Sequence, residues 1–232
     1  MRPLARLPAA ALLTTIVASG CAQGVPWKNA TLPWQTSDTT TPETEKYGAT
    51  ADQRIDTLAK RAREAKQAGG TALASFTEDL ARSILTEHDP RVRCEILRVA
   101  AEFDSPAALA ICRGALDDPA DQVRLVACDA WGRRGGPEAV KLLAHRFETD
   151  TEIDVRLRAV KRLGEVKDKA AIPVLAKALE DPDPAIQYRA VAALKQVSGR
   201  DLGDDVNTWR AWAADPGAEP EWSIAETFRK LF

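Results

Sequence analysis

The sequence predicts an all-α fold: an α-solenoid of about five stacked antiparallel helix pairs with a C-terminal capping helix. Three observations carry that prediction. The pair Val92-Arg93 returns as Val123-Arg124, Val155-Arg156 and Ile186-Gln187, at intervals of 31, 32 and 31 residues. A fixed period in this range marks stacked supersecondary units. A second column keeps the same rhythm, with Leu116-Asp117-Asp118, then Phe147 to Asp150, then Leu179-Glu180-Asp181. Between the columns, apolar residues fall at helical spacing, and no segment alternates as a half-buried strand would.

The chain opens with a segment of different character. Arg2 and Arg6 flank a short apolar run from Leu7 to Ala18, and small residues lead to Cys21. A basic flank, a short apolar stretch and small residues at the break describe a secretory signal rather than a spanning helix. Residues 1–20 are therefore read as a signal peptide. Val17-Ala18-Ser19-Gly20-Cys21 resembles a bacterial lipobox, which implies cleavage before Cys21, diacylation of its thiol and acylation of the new amine. Ordinary secretory cleavage near Ala22, discarding Cys21, is the alternative. Residues 21–48 form the lipidated cysteine and a disordered tether. They hold Pro26, Pro33, Pro42 and Thr39-Thr40-Thr41, with little apolar periodicity, a composition that cannot support a core. At ~3.3 Å per residue this tether reaches up to ~90 Å. Trp27 and Trp34 each follow a proline. They are either a linear binding motif or bilayer-interface anchors, or they lie back on the domain.

Residues 49–215 form the solenoid. Thr50 and Gln53 make a capping box for a helix from Thr50 to Ala68, with Ile55, Leu58 and Ala62 on one face and Gly69-Gly70 at its end. Phe76, Leu80, Ile84 and Leu85 line its partner helix. This pair reads as a divergent unit that caps the array, as end units do. Three regular hairpins follow, ending near Asp117, Thr149 and Glu180. Their first helices carry Val92, Ile96, Leu97 and Ala100, or Val155, Ala159, Val160 and Leu163. Asp89-Pro90, Ser105-Pro106, Asp118-Pro119 and Asp183-Pro184 place a capping side chain before a proline whose missing N–H the first turn does not need. Gly132, Gly135, Gly136 and Gly164 are expected at helix ends. A last helix from about Asp205 to Ala214, with Val206, Trp209 and Trp212, covers the open end. Residues 216–232 are a linker and an amphipathic helix with a Ser223/Glu226 capping box and Trp222, Ala225, Phe228, Leu231 and Phe232 on one face. That helix either docks on the array as a cap or enters a partner groove.

On these residues the chain resembles the HEAT-like repeat family, in particular the short bacterial repeats of phycobilin-lyase type. The family motif is Asp-Pro-x-Val-Arg, with Ala three residues after the Arg and Leu-Gly seven and eight after it. Asp89-Pro90-Arg91-Val92-Arg93 keeps its front half; Val155, Arg156, Ala159, Leu163 and Gly164 keep its back half. The resemblance runs from Asp89 to Val197. The resemblance is specific for fold and poor for function; the expected function is a non-enzymatic scaffold or adaptor that binds another protein, tethered to a membrane by its lipid. The alternative it carries is a lyase- or chaperone-like protein. In this family the second helices line the concave side, which would present Arg113, Lys141, His145, Arg146 and Lys177 to an acidic partner segment; an ordinary solvated face is the plainer reading. The implied location is the cell envelope, facing the periplasm or exterior. The outer membrane is favoured, because Ala22 is not the Asp that retains some lipoproteins in the inner membrane.

Composition and chemistry narrow the function. Without Arg2 and Arg6, 30 basic side chains face 34 acidic ones, a formal net of −4, which is not the basic footprint of a nucleic-acid binder. Arg93, Arg124 and Arg156 occupy one column of successive first helices. They form either an anion-binding stripe or a structural ladder with turn acids such as Asp118, Asp121 or Asp154, to which a guanidinium fork is suited. Cys94, Cys112 and Cys128 stand where other units have Leu157, Leu175 and Val160, so they read as core thiols. Export would also permit a disulfide among them. His88 and His145 have no second histidine at ligand spacing, and there is no C-x-x-C, so no metal or cofactor is expected. No catalytic constellation is visible.

Overall fold

The computed structural model describes residues 48–216 of the chain. Ten helices follow one another there: α1 (Ala51–Ala68), α2 (Gly70–Thr86), α3 (Pro90–Ala100), α4 (Pro106–Gly114), α5 (Asp121–Arg134), α6 (Gly136–Thr149), α7 (Ile153–Val166), α8 (Ile172–Leu179), α9 (Pro184–Ser198) and α10 (Val206–Ala214). Short 3₁₀ turns extend α4 (Ala115–Asp117) and lead into α8 (Lys169–Ala171). The described residues hold no strand. The odd-numbered helices α1, α3, α5, α7 and α9 pack consecutively on one another. Each even-numbered helix folds back against its own pair or the next, and α10 closes on α8. This is the expected solenoid of five hairpins.

Helix starts follow local chemistry. Thr50 and Gln53 exchange hydrogen bonds of 2.9 and 3.2 Å as a capping box. Asp89, Ser105 and Asp183 cap α3, α4 and α9 with proline at the first helical position, and Asp205 caps α10. Asp118 departs from the expectation. The cap of α5 is Ala120, and Asp118 instead accepts the Ala120 amide at 2.9 Å, which leaves its carboxylate available to a guanidinium.

One continuous apolar core runs through the stack, from Leu58 and Phe76 to Leu194 and Trp209. Cys94, Cys112 and Cys128 are buried free thiols within it, and burial pushes the Cys128 thiol up to about 12. Trp131 is 1% exposed and donates its indole N–H to the Cys112 carbonyl at 3.0 Å, which ties α5 to the last turn of α4. At the far end Trp209 is fully buried, donates to the Gly203 carbonyl at 2.9 Å and meets Trp212 edge-on at 5.4 Å. Leu85 is corrected: it is 84% exposed. Phe76, Leu80 and Ile84 complete the i, i+4, i+8 stripe of α2, and the next residue turns away from it.

Two glycines are also corrected. Gly135 ends α5 with φ of +69°, as a helix-stop glycine does, and Gly136, at φ +78°, opens α6. Gly132 and Gly164 lie inside α5 and α7 and serve packing. A Cβ on Gly164 would sit 2.7 Å from the Ala193 backbone of α9, and one on Gly132 would sit 2.5 Å from the Arg162 side chain. Backbone cannot retreat as a side-chain end can. Gly164→Ala should therefore cost about 1–3 kcal/mol in urea unfolding, the range for overpacking, and Gly132→Ala distinctly less.

Candidate functional site

A partner can recruit only the charges that the fold has not already used. Arg93 stands four residues after the cap of α3 and forms a two-pronged pair with Asp118, Nε at 2.8 Å and Nη2 at 2.7 Å. Its third nitrogen donates to the Glu87 and His88 carbonyls. Arg124 repeats this geometry: 2.8 and 2.9 Å to Asp150, and 3.0 and 3.3 Å to the Asp118 and Pro119 carbonyls. Arg156 pairs with Asp181 and donates to the Phe147 carbonyl. Gln187 keeps only the backbone half, at 2.7 Å to the Asp181 carbonyl. Each aspartate also accepts the amide of the residue that caps the next first helix, Ala120, Glu152 or Asp183. The arginines are a ladder whose partners are Asp118, Asp150 and Asp181. Asp121 and Asp154 lie exposed in the first turns of α5 and α7.

The ladder has a member that the period conceals. Arg54, four residues after Thr50, donates to the Ala49 carbonyl at 2.8 Å and pairs with Glu87 at 3.1 Å; Glu87 accepts the Asp89 amide just as the aspartates do. The cap unit is thus a true repeat with long helices. Its ladder arginine precedes Arg93 by 39 residues, outside the 31–32 rhythm. The shared position relative to the helix cap was the available signal.

Of the five residues read as a binding face, Arg146 is taken up by the ladder acid Asp150 and its neighbour Asp117. Its side chain is only 11% exposed and holds both Asp117 at 2.7 Å and Asp150 at 3.2 Å. Arg113 and Lys177 are exposed but paired, with Glu138 at 2.6 Å and Glu148 at 2.8 Å. Lys141 and His145, one turn apart on α6, are exposed and make no ion pair among the described residues. No group of three or more His, Cys, Asp or Glu side chains among the described residues could hold a metal, and no helix there is long and apolar enough to cross a membrane. Cys21, Trp27, Trp34 and the C-terminal helix of 216–232 lie outside the described residues, apart from residue 216 itself.

HEAT repeats match residues 77–156 and 146–206, together more than half of the chain. The chain belongs to the HEAT-repeat family, whose arrays of helix pairs act as protein-interaction scaffolds. No curated protein matches it.

Opposing electrostatic effects meet at Asp150. Burial pushes its carboxyl up, but hydrogen bonds from Arg124, the Glu152 amide and Arg146 outweigh burial and hold it below its ordinary value. A carboxyl depressed by folding contributes stability above its unfolded value of about 3.9 and loses it as pH falls through the lower folded value. Asp150→Asn should cost about 3 kcal/mol at neutral pH, because the part-buried Arg124 loses its counter-charge and Arg146 keeps only the exposed Asp117. It should also flatten the loss of stability below about pH 4. Urea unfolding of both proteins across that pH range reads both effects.

Proposed function

We propose that the protein is a membrane-tethered HEAT-repeat scaffold that binds an acidic segment of another protein on its second-helix face. The observation that carries the face is the pair Lys141 and His145, exposed and without an ion pair among the described residues, between Arg113 and Lys177, whose charges are balanced by the exposed Glu138 and Glu148. Exposed pairs of this kind are worth little and exchange readily, so an acidic partner can recruit those cations. The tether rests on Arg2, Arg6, the apolar run to Ala18 and the small residues before Cys21, with lipid chains on Cys21 giving stable anchoring. On this reading the protein works in the cell envelope.

Intact mass and membrane fractionation of the native protein beside Cys21→Ala, followed by crosslinking on the membrane fraction, test both halves. The native chain should carry lipid mass and sediment with membranes; the variant should be soluble or unprocessed. Lys141→Glu should lower recovery of the crosslinked partner several-fold, as reversal of an interface charge does. An unlipidated cytosolic chain overturns the tether and restores the lyase-like alternative. Unchanged recovery with Lys141→Glu moves the contact off this face.

A further inference from the structure

A groove of about 310 Å³ opens on the opposite, first-helix side, between α3 and α5. It is lined by Arg98, Ala101, Glu102, Val126, Asp129 and Arg133. The repeat register explains why it is open. One interval further along, between α5 and α7, Arg162 fills the equivalent space. It packs against Gly132, its Nε donates to Asp129 at 2.9 Å, and its Nη1 pairs with Glu165. In the preceding unit, Ala101 stands for Gly132, Ala130 for Arg162, Arg98 for Asp129 and Arg133 for Glu165. The arginine that fills the space is absent, and both carboxylates that hold it are replaced by arginines. Between α7 and α9 the close approach of Gly164 to Ala193 shuts the space.

The groove's acids are already engaged. Glu102 pairs with Lys66, and Asp129 accepts from Arg158 at 2.7 Å and from Arg162. Its arginines are less committed. Arg133 is exposed and makes no ion pair among the described residues. Arg98 has only Glu95, one turn back on its own helix at 3.1 Å, and its side chain is 53% exposed. At the two positions that hold the guanidinium in the filled groove the charge is inverted, and the remaining acids Glu102 and Asp129 have cations of their own, so the group that Arg98 and Arg133 complement is a carboxylate, with Arg supplying the forked donors.

We infer that this groove is a second partner contact, which takes an acidic side chain of a peptide segment between Arg98 and Arg133. It rests on the scaffold reading only for the source of the peptide, and it stands or falls apart from the Lys141 face. The test is NMR titration of the ¹⁵N-labelled full chain with a hexaglutamate peptide at low salt, following the arginine Nε–H resonances. Arg98→Lys and Arg133→Lys, which delete one resonance each, assign them. Hexaglutamate should shift both resonances. Arg133→Glu should weaken its binding roughly tenfold or more, and the double variant Arg98→Glu, Arg133→Glu should prefer hexalysine. Both side chains are exposed, so the fold should tolerate these changes; Arg133→Gln carries the test if a reversal disturbs it. Shifts confined to the Lys141 and His145 surface, or binding indifferent to Arg133→Glu, overturn the site. Inorganic phosphate shifting the same pair as strongly as the peptide makes it a small-anion site and overturns the peptide assignment.

Discussion

Each ladder arginine, four residues past a helix cap, ties the turn behind its own helix to the turn that closes its hairpin. Arg93, Arg124 and Arg156 reach backward to carbonyls and forward to Asp118, Asp150 and Asp181. The same aspartates fix the next cap through its amide. Each of these inter-unit turns is thereby held from two sides. An apolar stripe tolerates a small slide along a neighbouring helix; a two-pronged guanidinium–carboxylate pair does not. Such a buried pair adds little net stability over a well-packed apolar alternative. Its consequence is register, and the register is what makes the stack a repeating surface.

That register lets small residues set the spacing between first helices. Gly164 lets α9 approach α7 closely, and Gly132 makes room for Arg162. Ala101 and Ala130 do neither, and the space between α3 and α5 stays open. The two faces of the array therefore differ in kind. One carries balanced pairs around Lys141 and His145, and the other a groove with arginines at its rim. An array of nearest-neighbour units can carry such separate surfaces without moving parts.

The ends are built differently from the middle. Arg54 and Glu87 extend the ladder into the first hairpin, whose longer helices absorb the extra residues. At the other end Gln187 keeps the backbone contact but has no carboxylate. There Arg210 takes over, donating to the Leu179 carbonyl at 2.6 Å and pairing with Glu180 at 2.8 Å, while Trp209 fills the last core layer.

The sequence by itself determined the fold class, the unit boundaries, most caps and the apolar columns, because each depends on interactions within a few residues or on one period. The two columns of Val-Arg pairs and turn acids were visible, and so was the idea of a ladder. Which acid meets which arginine was not. Asp118, Asp150 and Asp181 lie 25 or 26 residues from their partners, and only the packing of whole hairpins brings them together in place of Asp121 and Asp154. Arg54 was hidden by helix length, and the roles of Gly132, Gly164 and Leu85 by their neighbours' positions. Arg146 read as surface because its helical face is set by burial against Asp150 rather than by spacing. The tertiary structure alone decided which charges remain free, since that depends on distances between helices, which no local pattern encodes.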